Sequence, residues 1–202
     1  VALQLFFIRK SGGNPIMQFR RTYVLALLVF ALSHFTALAG HDKAIFESVA
    51  EELKAKDFKV VGADTDRPWG GFFYIDENQI KKFVDIYFPD APFEISTTDK
   101  LSPKILVIAP GKRLSWQYHH RRGELWRVVK GPVGVVRSFD NTEMPIMTHE
   151  SGAFVKIDKS ERHRLVGLKD WSIVAEIWQH TDPTLPSDES DIVRVQDDFS
   201  RK

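Results

Sequence analysis

The run Gln117-Tyr118-His119-His120-Arg121-Arg122-Gly123-Glu124 limits what this chain can build more than any other stretch. Leu125-Trp126-Arg127-Val128-Val129-Lys130 follows, and then Gly131-Pro132, a turn signal. Gln117 and His119 are two residues apart in an apolar context, so on a strand they face the same way. Glu124 follows a short basic loop and opens a second apolar run. A hairpin of this kind aims an amide oxygen, an imidazole and a carboxylate into one interior. Those are the nitrogen and oxygen donors of a partial metal shell. Most strand histidines are ordinary core or surface residues, so the pattern needs support from elsewhere. His163 supplies it: it comes several apolar runs later, follows the charged turn Asp158-Lys159-Ser160-Glu161-Arg162 and begins a new apolar run.

The rest of the chain reads as one domain with extra segments, from its 202 residues. Residues 1–16 read as unstructured, and Met17 is the first methionine, where translation is expected to begin. Arg20-Arg21, the apolar run 23–32 and the small-x-small site Ala37-Leu38-Ala39 have the layout of a secretory signal peptide over 17–39. The run is short of the roughly 20 apolar residues of a membrane span, so no stable span is expected. Residues 41–56 are expected to be helical, with Ile45, Phe46, Val49 and Leu53 on one face. Residues 62–67 break the pattern. A rigid aromatic turn, Arg67-Pro68-Trp69-Gly70, leads to a strand at 72–75. Asp76 with Gln79 resembles a helix-start box, and Phe88-Pro89 ends that helix. Residues 90–102 read as a polar connection.

Short strands then follow at 105–109, 114–119, 124–129, 133–139, 145–148, 153–157, 163–166 and 171–178, separated by turn residues. That spacing implies a mainly β sandwich or small barrel. Residues 181–190 form a Pro/Ser/Asp-rich loop, and 192–199 are expected to pack back on the barrel. The domain reading is a leader (1–40), a helical extension with a first strand (41–100), and a barrel with its tail (101–202). Net charge is +1, which gives no basis for nucleic-acid binding or for a basic membrane surface. Cysteine is absent, which excludes disulfides and thiolate metal sites.

The sequence resembles the cupin superfamily, through Gly111, Gln117, His119, Glu124 and Gly131 for its first motif and Gly152 and His163 for its second. Asp158 and Ser160 stand where that second motif has Pro and Gly. Arg67-Pro68-Trp69-Gly70, Lys104, the segment from Pro110 to Gln117, Arg122, Glu124-Leu125-Trp126, His163-Arg164-Leu165 and Asp191-Ile192-Val193-Arg194 narrow the resemblance. They are similar to the cupin-type (type II) phosphomannose isomerases, both stand-alone forms and C-terminal domains of mannose-phosphate guanylyltransferase fusions. Arg121 stands where that family often has a third consecutive histidine, and the segment 76–100 has no place in the pattern. The resemblance implies a double-stranded β-helix (jelly-roll) barrel with short N-terminal helices, and pairing through sheets into a homodimer.

It also implies a metal-dependent aldose–ketose isomerase interconverting mannose 6-phosphate and fructose 6-phosphate. Gln117, His119, Glu124 and His163 are the implied metal ligands. That donor set suits zinc, with manganese, iron(II), cobalt or nickel as alternatives. The proton carrier is expected among Lys104, Glu176 and Asp197, with Arg194 also in the catalytic set. Arg113, Arg122 and Arg194 are expected to hold an anionic group, since guanidinium suits phosphate. As alternatives, Arg113, Arg121 and Arg122 form a solvated loop and Arg194 pairs with a neighbouring carboxylate. The tryptophans read as core residues rather than sugar platforms. His120 and His180 are not expected to be ligands. Two other functions stay open. One is an isomerase of a free sugar such as lyxose, which the export-like leader favours over a phosphorylated and mainly cytoplasmic substrate. The other is a non-catalytic carbohydrate-binding cupin.

Overall fold

The computed structural model describes residues 43–199. The expected signal peptide at 17–39 lies outside them. By its contacts the chain divides into Val1–Lys43 and Ala44–Lys202, and the architecture below is that of the second unit. The strands, in chain order, are β1 (Val60–Arg67), β2 (Gly70–Ile75), β3 (Leu101–Ile108), β4 (Trp116–His119), β5 (Arg122–Lys130), β6 (Val133–Ser138), β7 (Met147–His149), β8 (Phe154–Ile157), β9 (Arg162–Gly167), β10 (Ser172–His180) and β11 (Ile192–Gln196). Helix α1 covers residues 43–55 and α2 is Ile80–Tyr87. The described residues are mainly β, and their two antiparallel sheets form a barrel around a shared core.

The larger sheet has six strands in the order β1-β2-β3-β10-β5-β8, and the smaller has five in the order β11-β4-β9-β6-β7. Side chains alternate across a strand, so the larger sheet presents two different faces. Leu106, Ile108, Trp126, Val128 and Val174 look inward and form the barrel core with Val133, Val135 and Leu165 of the smaller sheet. Ile105, Val107, Leu125, Ile173, Ala175 and Ile177 look the other way. There α1 covers them with Phe46, Val49 and Leu53, and α2 with Phe83 and Tyr87. A sheet buried on both faces requires apolar residues at every position, so 105–108 is a continuous run rather than an alternation. Aromatic contacts lock both helices down: Phe46 meets Trp171 edge-on at 5.8 Å, and Phe58 stacks on Tyr87 at 6.0 Å.

Several local expectations need correction. Residues 62–67 break the helical pattern as expected, but they do so as part of a strand, β1, that the sequence reading did not identify. This edge strand carries exposed Val60 and Val61 and several charges, so it shows no apolar periodicity; edge strands commonly carry charge against unwanted pairing. The connection 90–102 ends in β3 and buries Ile95. The helix-start box is only half formed. The Asp76 carboxylate accepts from Asn78 N–H at 3.0 Å, capping the 3₁₀ turn Glu77–Gln79. Gln79 instead accepts from Lys59 N–H at 2.7 Å and donates to Asp57 O at 2.9 Å. The tail packs back as expected: β11 pairs with β4, and Phe199 lies against the barrel core. No helix among the described residues is long and apolar enough to cross a membrane.

The turn between β1 and β2 depends on one glycine. Gly70 has φ 135°, and a Cβ there would lie 2.0 Å from the Val107 carbonyl oxygen. Neither the backbone angle nor the space admits a side chain. Gly70→Ala should therefore destabilise the fold by about 3 kcal/mol. Thermal unfolding should show a midpoint about 6–12 °C lower. An unchanged midpoint would mean that the turn does not hold β2 against β3.

Candidate metal centre and cleft

The inward-facing positions of both sheets converge at one end of the barrel. From the smaller sheet, Arg194, Gln117, His163 and Arg137 stand in register across β11, β4, β9 and β6. From the larger sheet, Lys104, Glu176 and Trp126 stand in register across β3, β10 and β5. One step along, Ser102, Trp178 and Glu124 form the next row. Glu124 is thus carried by one sheet, and His119 and His163 by the other.

His119, Glu124 and His163 meet in the interior, each almost fully buried. His119 Nε2 lies 3.1 Å from Glu124 Oε1, His163 Nε2 lies 3.4 Å from Glu124 Oε2, and the two Nε2 atoms are 3.3 Å apart. The His163 Nδ1 atom is 2.9 Å from Glu161 O, so Nδ1–H donates there and the Nε2 lone pair is left facing the centre. Glu161 is itself fixed: Arg137 donates to both its oxygens at 2.8 Å, and Asp158 N–H donates at 2.9 Å. Ser160, at the expected glycine position, has φ 65° and so keeps the left-handed turn before His163.

The chemistry of these donors fits a divalent cation. Glu124 Oε2 is buried without a hydrogen-bond partner, which is costly unless something positive takes it up. Two imidazole nitrogens and a carboxylate oxygen face one point, the donor set of zinc and related metals. Burial holds the His119 imidazole down to about 4, so it stays neutral and able to ligate. Burial alone would raise Glu124. His119, His163 and Arg122 outweigh it and hold the carboxyl well below its ordinary range, so it stays an anion. Gln117 adjoins the trio, opposite His163 in register; its Oε1 accepts from Ser115 Oγ at 2.5 Å.

Arg122 is built into this centre rather than lying in a solvated loop. It is 1% exposed and begins β5. Nε donates to Glu124 Oε1 at 2.9 Å, Nη1 to Ser187 Oγ at 2.8 Å, and Nη2 stands 3.2 Å from His119 Nε2. Its guanidinium lies over the Trp178 ring, 3.5 Å from the centroid. A metal taking the His119 lone pair would replace the Nη2 contact.

Beside the trio opens a cleft whose walls include Arg67, Lys104, Gln117, Arg122, Glu124, Glu176, Trp178, Glu189 and Arg194. Lys104 is 3% exposed, with its ammonium 3.3 Å from the Trp178 ring centroid and 4.5 Å from that of Tyr74. Burial lowers its pKa. Burial raises Glu176 to about 8, with the Glu124 charge adding to the effect, although Trp126 Nε1–H donates to Oε1 at 3.0 Å. Glu176 is therefore largely a neutral acid at pH 7.

The structure thus brings Gln117, His119, Glu124, His163, Lys104, Glu176, Arg122 and Arg194 together around one cleft. Arg113 is not among the cleft-lining residues; it forms an exposed pair with Asp198 at 2.6 Å. Asp197 is also outside the lining. Arg121 holds the tail, donating to Pro186 O and Asp188 Oδ1 at 3.2 Å each. His120 is exposed, and His180 bridges Ser102 and Ser187 N–H at 2.8 and 2.9 Å. Trp69 and Trp178 are buried, yet both also line the cleft. Sequence reasoning missed Glu161, Ser187 and Glu189. Glu161 and Ser187 looked like ordinary loop polar residues, and only three-dimensional contact distinguishes them.

Comparison with known proteins places these features in a family. A family model described as Mannose-6-phosphate isomerase C-terminal matches residues 76–197, which includes the segment 76–100. The Xanthan biosynthesis protein XanB, from two strains of Xanthomonas campestris pv. campestris, is 26% identical over 135 residues, covering 67% of this chain and 23% of the relative. The chain spans about a quarter of the length of these curated relatives. Among solved structures, the capsular polysaccharide assembling protein CapF from Staphylococcus aureus aligns with TM-score 0.44 and 20% identity, over 67% of this chain and 31% of that one. An oxalate oxidase in complex with glycolate aligns with TM-score 0.39 and 21% identity, over 47% and 46%.

The buried carboxyl of Glu176 makes a measurable demand on stability. Below its ordinary value of 4.5 the group is protonated whether folded or not. Between there and about 8 the unfolded chain ionises it and the folded protein does not, so its contribution to stability falls as pH rises. Glu176→Gln removes that loss. Thermal unfolding should show the variant gaining on the parent from pH 5 to pH 8. A constant difference across that range would show that the carboxyl is not held protonated.

Proposed function

Because the chain belongs to the Mannose-6-phosphate isomerase C-terminal family, we propose that it is a metal-dependent aldose–ketose isomerase, interconverting mannose 6-phosphate and fructose 6-phosphate. The observation that carries this reading is the pairing of Lys104 with Glu176 in register on the cleft wall, beside the His119–Glu124–His163 trio. Isomerisation moves a proton between C2 and C1 of the open-chain sugar, and it needs an acid/base whose pKa lies near neutrality. Glu176 has that property, because burial and a neighbouring anion lift it to about 8.

His119, Glu124 and His163, with Gln117 as the fourth donor, are the residues that hold the metal in this reading, and zinc is the metal their donor atoms suit best. Bound there, it supplies positive charge against the negative charge that develops on the sugar oxygens. Glu176, once ionised, takes the C2 proton and returns it to C1. Lys104 donates to a sugar oxygen from the same wall. Arg194 and Arg67, which also line the cleft, hold the phosphate. Trp178 closes the wall behind Lys104 and limits water there.

A free sugar is the second reading. The secretory layout of 17–39 favours it, since export would separate the protein from phosphorylated sugars. Turnover on mannose against mannose 6-phosphate decides between the two.

Metal analysis and turnover on one set of proteins test the main reading. The parent should carry about one divalent ion per chain and lose activity on chelation. His119→Ala should lose both metal and activity. Glu176→Gln should keep the metal while kcat falls by about 10²-fold or more. Full activity in His119→Ala, or no proton exchange at sugar C2 in deuterated water for the parent, would end the isomerase reading.

A further inference from the structure

We propose that Glu189 determines which ligands the cleft accepts: its carboxylate stands in the cleft wall beside Lys104, where it repels an anionic group that enters. This deepens the reading above and rests on it only for the identity of the natural ligand.

Glu189 sits on the tail segment 181–191 and is one of the residues that line the cleft. Its neighbours in sequence are tied to the barrel. Asp191 accepts from the backbone N–H of His120 at 3.2 Å and of Arg121 at 3.0 Å, and from Ser187 Oγ–H at 2.6 Å. Asp188 accepts from Arg121 at 3.2 Å, and its carbonyl from Arg122 at 3.3 Å. The backbone on both sides of Glu189 is thereby fixed, and its side chain reaches inward from a held position.

That side chain makes only loose contacts. Oε1 accepts from Tyr74 Oη–H at 3.3 Å and lies 3.5 Å from Lys104 Nζ. Both distances are at the outer limit of hydrogen bonding. The Glu189 side chain is 48% exposed, against 3% for Lys104. An ion pair with one partner in water contributes little and is easily replaced. Lys104 is the opposite case: its ammonium is walled in by the Trp178, Tyr74 and Phe72 rings, with Glu176 across the strand pair. It needs an anion close by, and Glu189 provides one that can leave.

The consequence is selectivity by repulsion. A phosphate group entering while Glu189 holds its place meets a like charge at short range. A neutral sugar does not, and its hydroxyls can donate to the same carboxylate. Discrimination of this kind comes from the disfavoured partner as much as from the favoured one.

The test uses isothermal titration of the full chain with inorganic phosphate and, separately, with mannose, at low ionic strength and with metal content recorded. Glu189→Gln should tighten phosphate about 5- to 10-fold, the gain from removing one like charge in a partly exposed site. Mannose affinity should stay within about twofold. Glu150→Gln, an equal charge change at an exposed turn, should leave phosphate binding unchanged. Three results overturn the proposal: phosphate affinity unchanged or weaker in Glu189→Gln, the same gain in Glu150→Gln, or no phosphate binding by either the parent or Glu189→Gln. An inactive parent whose Glu189→Gln variant binds phosphate more tightly would remove the isomerase reading and keep this one. An active isomerase whose Glu189→Gln variant binds phosphate unchanged would do the reverse.

Discussion

A single buried carboxylate organises this end of the barrel. Glu124 is 1% exposed, and an ion of that size leaves water at a cost of several kcal/mol unless it is paired. Arg122 supplies a permanent opposite charge at 2.9 Å, and two imidazoles face the remaining space. The compensation has a consequence of its own, because a buried guanidinium must also satisfy its donors. Arg122 does so on Ser187 Oγ and Asp188 O, which belong to the tail, and on the face of Trp178. The position of the segment 181–191 thus follows from the charge at Glu124 through one intervening side chain. Removing one member of such a buried pair typically costs about 3–5 kcal/mol, because the other charge is then uncompensated.

Strand parity decides which polar groups reach this interior. Lys104, Leu106 and Ile108 share one face of β3, as Val174, Glu176 and Trp178 share one face of β10. A lysine or glutamate inside such an apolar run cannot be an accident of a solvated face, since the opposite face is covered by helices and is equally dry. That much is legible from sequence: the runs are local, the period is two, and Gln117, His119 and Glu124 lie close enough for one hairpin to bring together. His163 is legible for a related reason, because it opens an apolar run directly after a charged turn.

What was not legible depends on contacts that no local period encodes. β1 escapes because its exposed edge carries Asp64, Asp66 and two outward valines, so neither alternation nor an apolar run marks it. Glu161 reads as one more charge in a polar turn; only its bonds to Arg137 and its carbonyl contact with His163 make it part of the centre. The arginines show the limit from the other side. Guanidinium suits a phosphate and an internal carboxylate equally well, so composition cannot tell Arg122, consumed by Glu124 and Ser187, from Arg194, which lines the cleft, or from Arg113, paired with Asp198 at the surface. Ser160 marks a third case. The residue type departs from the motif, but the backbone keeps the left-handed angle, so the turn survives the substitution.

The origin of the three candidate ligands gives the centre a mechanical role. Glu124 comes from the larger sheet, and His119 and His163 from the smaller one. Their donor atoms approach within 4.8 Å only when the two sheets pack face to face. An ion held by all three therefore joins the sheets at the end where the cleft opens. It binds the folded chain and not the unfolded one, so its affinity adds directly to stability. The barrel core of Val128, Leu165 and Val135 also holds the sheets together. Where polar groups replace apolar ones at the cleft end, an ion at that centre would share this task with the Arg122–tail contacts. The candidate ligands and the cohesion of this end of the molecule consequently rest on the same few side chains.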